Sequence, residues 1–158
     1  MNTGSLSKFD VLSLNVRGTR NQIKRRSIFS YLKDQKTNVY FLKETYSEWA
    51  HENIWRKEWG GELFFWHGTK HSKGVRILIN PFVQPKVDYS YANDSGRIVL
   101  ITITLNEQKL SLCNIYVPND QANQLQFMQE LNNCIIDESE LTSIIVGGDW
   151  NCTLSKQK

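Results

Sequence analysis

Five polar residues sit where runs of apolar residues stop. Asn15 closes "FDVLSLNV", Glu44 follows "NVYFL" and Lys43, Tyr116 lies in "KLSLCNIYVP", and Asp149 and Asn151 end "SIIVGGDWN". Carboxylate, amide and phenol oxygens are hard ligands and donors, suited to Mg²⁺ and phosphate oxygens rather than to zinc. No soft-ligand cluster competes. Cys113, Cys134 and Cys152 are widely spaced, with no CxxC pair, and read as free thiols in a reducing, intracellular compartment, nuclear or cytoplasmic. Each polar residue also has a plainer role: Asn15 a turn former, Glu44 a solvated acid, Gly148-Asp149 a tight turn, Tyr116 a half-buried ring. Their shared position is what points to a site, because a sheet holds its strand ends rigid and projects their side chains into a cleft.

The elements that would place them follow from periodicity. Alternation over 9–16 predicts a strand that meets a turn at Arg17-Gly18. Residues 21–36 predict a helix with Ile28, Phe29 and Leu32 on one face and Lys24-Arg25-Arg26 near its start. A second strand starts at 38 and ends its apolar part at Leu42. A short helix over 47–58 puts Trp55 and Trp59 on one face and stops at Gly60-Gly61. "ELFFWHG" and "GVRILINP" predict strands joined by the polar loop "TKHSK", the second closed by Pro81. "RIVLITITL" and "KLSLCNIYVP" predict a hairpin through Asn106-Glu107-Gln108, with Thr102 and Thr104 facing away from Ile101, Ile103 and Leu105. Asp120 is placed to cap a helix running to about 136, its stripe Leu125, Met128, Leu131 and Ile135. The last strand carries "GGDWN". With no repeat, low-complexity tract or linker, the chain reads as one α/β domain.

Composition sets bounds but does not choose a function. At 158 residues the chain can bury one real core and not two. No stretch nears the ~18 consecutive apolar residues of a membrane span, and the N-terminus has no apolar run of a secretory signal. A net charge of +3 hints at a polyanionic partner, with basic residues bunched at 24–26 and around Lys70, His71, Lys73 and Arg76. Five Trp and six Tyr suit core packing as well as base stacking.

The motifs "SLNVRG", "FLKETYSE", "GVRILIN", "LCNIYVPN" and "IIVGGDWN", in that order from Phe9 to Cys152, resemble the endonuclease/exonuclease/phosphatase superfamily. In particular they resemble the apurinic-type endonuclease domain of LINE-type (non-LTR) retrotransposons. Repair apurinic endonucleases and phosphoinositide or sphingomyelin phosphodiesterases share the core motifs. "GGDWN" and "HSKGV" look retrotransposon-like. The resemblance implies a four-layer α/β sandwich of two mixed β-sheets face to face with flanking helices, and here an incomplete one. Residues 1–8 would be a short tail and 9–158 the first two-thirds of the domain. It implies hydrolysis of a DNA phosphodiester with Mg²⁺, or Mn²⁺ in its place, nicking one strand to leave a 3′ hydroxyl. In the ancestor a reverse-transcriptase domain would be the partner.

Carried over by position, the resemblance makes Glu44 the principal metal ligand with Asn15 beside it. Tyr116 would donate to the scissile phosphate, and Asp149, held by Asn151, would orient or deprotonate the attacking water. Lys70, Lys73 and Arg76 would contact DNA phosphates, giving register rather than sequence choice.

Three departures qualify it. Lys43 replaces the usual Gln; strand alternation means that it need not touch the metal, and if it leans in its charge would compete with Mg²⁺ for Glu44. Arg76 stands where small residues are usual, in a strand otherwise expected to be buried; it needs an acid partner or an exposed strand. The family's later Asp and Ser-Asp-His motifs have no counterpart, since His51, His67 and His71 all lie in the first half. Loss of such a unit costs roughly thousands-fold in rate, so the chain is expected to be inactive; the alternative is a non-catalytic remnant that at most binds nucleic acid. Strands left without neighbours would make the chain marginally stable, prone to aggregate or to dimerise. The expectation is no cooperative thermal transition for a monomer at low micromolar concentration, checked by calorimetry with light scattering.

Overall fold

The computed structural model describes residues 8–46, 49–65, 74–139 and 143–151. One sheet takes β1 (Val11–Asn15), β2 (Val39–Lys43), β3 (Leu63–Phe65) and β4 (Val75–Ile79), in the order β1-β2-β4-β3. The other takes β5 (Lys86–Ala92), β6 (Ile98–Leu105), β7 (Gln108–Tyr116) and β8 (Ser143–Asp149), in sequence order. Both are mixed: β1 with β2 and β7 with β8 run parallel, the other pairs antiparallel.

Alternation along each strand assigns its faces. Val39 and Phe41 of β2, Val75, Ile77 and Ile79 of β4, Ile101 and Ile103 of β6, and Leu110 and Leu112 of β7 form the core between the sheets. The opposite face of the first sheet, with Tyr40, Leu42 and Leu78, packs on α1 (Gln22–Asp34) and α2 (Glu52–Trp59) through Phe29, Leu32, Trp55 and Trp59. The opposite face of the second sheet, with Ile98, Leu100, Cys113 and Ile115, packs on α3 (Gln121–Ser139). The result is the four-layer α/β sandwich that the sequence motifs imply.

Local chemistry sets the boundaries. Asn21 caps α1 by accepting the Lys24 N–H at 2.9 Å, and Asp120 accepts the Asn123 N–H at 3.1 Å. A short 3-10 turn (Trp49–His51) leads into α2, which ends at Gly60 in the left-handed region (φ 79°). Asn106 and Glu107, both at positive φ, make the two-residue turn that pairs Leu105 with Gln108. Among the described residues no helix is long and apolar enough to cross a membrane.

Three sequence expectations are corrected here. β5 was not foreseen: a register shift between Val87 and Tyr89 breaks its alternation, and as an edge strand it is largely exposed. The buried stripe of α3 runs through Phe127, Leu131 and Cys134, while Leu125 (68% exposed) and Met128 (40%) face outward. Arg25 of the basic cluster points inward, donating to Glu58 at 2.6 and 3.0 Å and to the Thr19 and Arg20 carbonyls at 3.0 and 3.2 Å. The Arg25 hydrogen bond holds the Glu58 carboxyl below its ordinary range despite partial burial.

Among the described residues no carboxylate is hydrogen-bonded to Arg76 in this way, although the nearby Glu52 favours its charge. Arg76 faces the helices, 1% exposed, its guanidinium carbon 3.8 Å from the Trp55 ring centroid and 4.4 Å from that of Phe65. Neither Nε nor Nη2 makes a hydrogen bond. Burial drives its pKa well below the usual arginine range. So buried a guanidinium cannot reach a DNA phosphate, and the contact expected of Arg76 is withdrawn. Stacking on two rings offsets about 2 kcal/mol of the cost of desolvation, which exceeds it by several more. Arg76→Met keeps the volume and removes the charge, and should raise stability by about 1–2 kcal/mol. Urea denaturation measures it, and a destabilised variant would show that the stacked cation is a net asset.

Candidate active site

The inward faces of three strands run from apolar to polar at one end of the sandwich. On β2 the series is Val39, Phe41, Lys43; on β7 it is Leu110, Leu112, Asn114, Tyr116; on β8 it is Ile145, Gly147, Asp149. The apolar core therefore opens into a polar mouth. There Lys43 Nζ donates to Asp149 Oδ2 at 2.8 Å, joining the two sheets, with the two side chains 22% and 25% exposed. The pairing register sets Asn15 beside Lys43 and Tyr116 beside Asp149.

Each predicted residue has a defined setting. Asn15 is exposed, and its Oδ1 accepts the Arg17 N–H at 3.0 Å, closing the turn after β1. Glu44 is half-buried and takes positive φ (57°), which ends β2 one residue earlier. A non-glycine residue there costs about 1–2 kcal/mol. The conformation is held by the turn after β1: Gly18 N–H donates to the Glu44 carbonyl at 2.6 Å and Thr19 N–H to that of Thr45 at 3.0 Å. Tyr116 is 6% exposed, with the Arg97 guanidinium 5.0 Å from its ring centroid. Beside it opens a cavity of about 540 Å³ lined by Arg97, Asn119, Asp120, Asn123 and Phe127. Asp149 Oδ1 accepts the Asn151 main-chain N–H at 3.0 Å, and the Asn151 side chain anchors on the Val117 carbonyl at 2.5 Å. Lys70 and Lys73 lie outside the described residues. Of the histidines, His51 stacks on Trp55 in the helical layer, ring centroids 5.4 Å apart, away from this mouth.

Sequence reasoning misread one residue and missed another. Lys43 shares the inward face of Val39 and Phe41, so alternation brings it toward the site rather than away. Asn114 occupies a core position, 1% exposed, and its Nδ2 donates to the Leu42 carbonyl at 3.0 Å and the Arg76 carbonyl at 2.7 Å. A lone amide in an otherwise apolar inward series was its signal.

Comparison with known proteins gives this geometry a context. No protein-family model matches the chain. It is 32% identical over 146 residues to the transposon TX1 uncharacterized 149 kDa protein of Xenopus laevis, a match covering 91% of this chain and 11% of that one. Among solved structures it resembles the APE2 catalytic domain of Xenopus laevis, with a TM-score of 0.70 at 16% identity, covering 92% of this chain and 59% of that one. D. rerio TDP2 in complex with a single-strand DNA product gives a TM-score of 0.69 at 22% identity, covering 94% and 63%. The endonuclease domain of TRAS1, a telomere-specific non-LTR retrotransposon, gives 0.66 at 17%, covering 92% and 61%. The chain shares the fold of these solved domains. The chain spans about a tenth of the curated relative and about three-fifths of these solved chains.

The end of β8 depends on its two glycines. A Cβ on Gly147 would lie 3.0 Å from the Phe41 ring, and one on Gly148, at φ 124°, only 2.1 Å from the Ile115 carbonyl oxygen. The second cannot be relieved by a side-chain rotation, because the obstacle is backbone. Gly148→Ala should therefore cost at least about 2 kcal/mol, read as a lowered urea midpoint; a loss below a few tenths would mean that β8 shifts freely.

Proposed function

We propose that this chain is a Mg²⁺-dependent endonuclease module that hydrolyses a DNA phosphodiester and leaves a 3′ hydroxyl. What supports the reading is that Tyr116 and Asp149 pair at the ends of β7 and β8 and that Glu44 directly follows the end of β2, in a chain 32% identical to a transposon protein. The donor set fits a hard divalent ion only in part. Glu44 and Asn15 offer oxygens in the right chemical class, but Asp149 is already paired with Lys43. Among the described residues no group of three or more His, Cys, Asp or Glu gathers.

Glu44 and Asn15 hold the metal, with Mn²⁺ able to replace Mg²⁺; bound there, the ion would offset charge that develops on the phosphate. Tyr116 aims its hydroxyl at a non-bridging oxygen of the scissile phosphate. Asp149 orients the attacking water and takes its proton, and Asn151 keeps that carboxylate from turning. Lys70 and Lys73 grip flanking phosphates. The natural setting is a larger protein with a reverse-transcriptase domain, acting on DNA inside the cell.

The chain by itself is proposed to turn over slowly or not at all, since His51 is stacked in the helical layer and the other histidines precede β4. That same observation favours the second reading, a remnant that binds nucleic acid without cutting it.

Supercoiled plasmid separates the two. Slow conversion to nicked circles with Mg²⁺, abolished by EDTA and lowered at least about a hundredfold by Glu44→Ala and by Asp149→Ala, is the expected result. Retardation of DNA in a gel with no nicking at any Mg²⁺ concentration would establish the binding remnant instead.

A further inference from the structure

We propose that Lys43 is an internal cation that competes with the divalent metal for this mouth and so sets the chain's metal affinity. The inference rests on the hydrolytic reading above, because Glu44 is the ligand whose metal it opposes. Lys43 is the last residue of β2 and the covalent neighbour of Glu44, yet its ammonium bonds Asp149 on the other sheet at 2.8 Å. Asp149 is therefore engaged at both oxygens, Oδ2 by Lys43 and Oδ1 by the Asn151 N–H.

The charge balance gives the pairing its consequence. Asp149 stands in the mouth with the Lys43 ammonium bonded to it, and Glu44 directly follows Lys43 in the chain, so the two acids and the one base sum to one formal negative charge instead of two. A divalent cation held by Glu44 meets a fixed positive charge nearby, and its attraction to Asp149 is already spent on Lys43. Since both partners are about three-quarters hidden, water and salt screen this repulsion less than on an open surface. A neutral side chain at position 43 would return the second carboxylate to the metal.

The competing explanation is a strut, in which Lys43 only ties the sheets together. The two differ in what a neutral residue does to metal binding. Mn²⁺ titrations followed by electron paramagnetic resonance of the free ion would compare the chain with Lys43→Gln, Lys43→Met, Lys43→Arg and Glu44→Ala. Competition predicts that Gln and Met bind Mn²⁺ about fivefold tighter, the scale of one partly exposed ion pair. Arg should keep the weak affinity and Glu44→Ala should lose binding. As a second readout, Mg²⁺ should raise Tm more in the Gln and Met variants than in the parent chain. Met separates the loss of charge from any new hydrogen bond, and metal-free melting confirms that each variant is folded.

Unchanged or weaker Mn²⁺ binding in both neutral variants, with loss in Glu44→Ala, would overturn the competition and leave the hydrolytic reading standing. Absence of binding in every variant would overturn both.

Discussion

The polar mouth depends on how closely the two sheets approach each other between β2 and β8. Gly147 lets β8 settle on Phe41, because a methyl there would already stand 3.0 Å from the ring. Asn114 then fixes the sliding of one sheet on the other. Its amide reaches the carbonyls of Leu42 on β2 and Arg76 on β4, so a single buried side chain reads two strands at once. Its Oδ1 has no hydrogen-bond partner, a cost of about 1–3 kcal/mol that a purely apolar core would not carry. An amide makes those two bonds only at one relative placement, and that placement is the one that sets Lys43 against Asp149. Position is specified at the expense of stability.

Three cations show how far environment decides what a basic residue does. Arg25 is buried, but Glu58 meets its fork with two oxygens and the Thr19 and Arg20 carbonyls take further donors, so its charge is answered. Lys43 is about three-quarters hidden and answered once, at the mouth. Arg76 is fully hidden and answered by aromatic faces. The first braces the helical layer and the second charges the site. The third carries a desolvation cost that its two rings offset only in part.

Much of this was legible in the sequence where a single rule decides. Trp55 and Trp59 are four apart, and both are buried on one face of α2. The strand ends that deliver Asn15, Glu44, Tyr116 and Asp149 were visible as polar residues closing apolar runs. Where two rules compete, the sequence is ambiguous: α3 offers Leu125 and Met128 as readily as Phe127 and Cys134, and only the outer face of the second sheet chooses between them. β5 was hidden because one extra residue changes the parity of its alternation. Lys43 was legible and misread, since the parity that turns it from Leu42 puts it with Phe41. Arg76 was legible as an anomaly, but its rings come from Trp55 and Phe65, distant in the chain, and periodicity does not see them.

The division of strands between the sheets bears on when the site can exist at all. The first sheet is complete by Ile79 and the second begins at Lys86, so each is assembled from its own continuous stretch of chain. The contact between Lys43 and Asp149 spans 106 positions and belongs to neither. On a ribosome, the first sheet would emerge and pack with Lys43 still unanswered, until β8 brought Asp149 into the second sheet. Long-range closure of this kind is the slow part of folding. The ion pair that joins the sheets therefore forms only once β8 has paired with β7, and a chain that stops short of Asp149 lacks it.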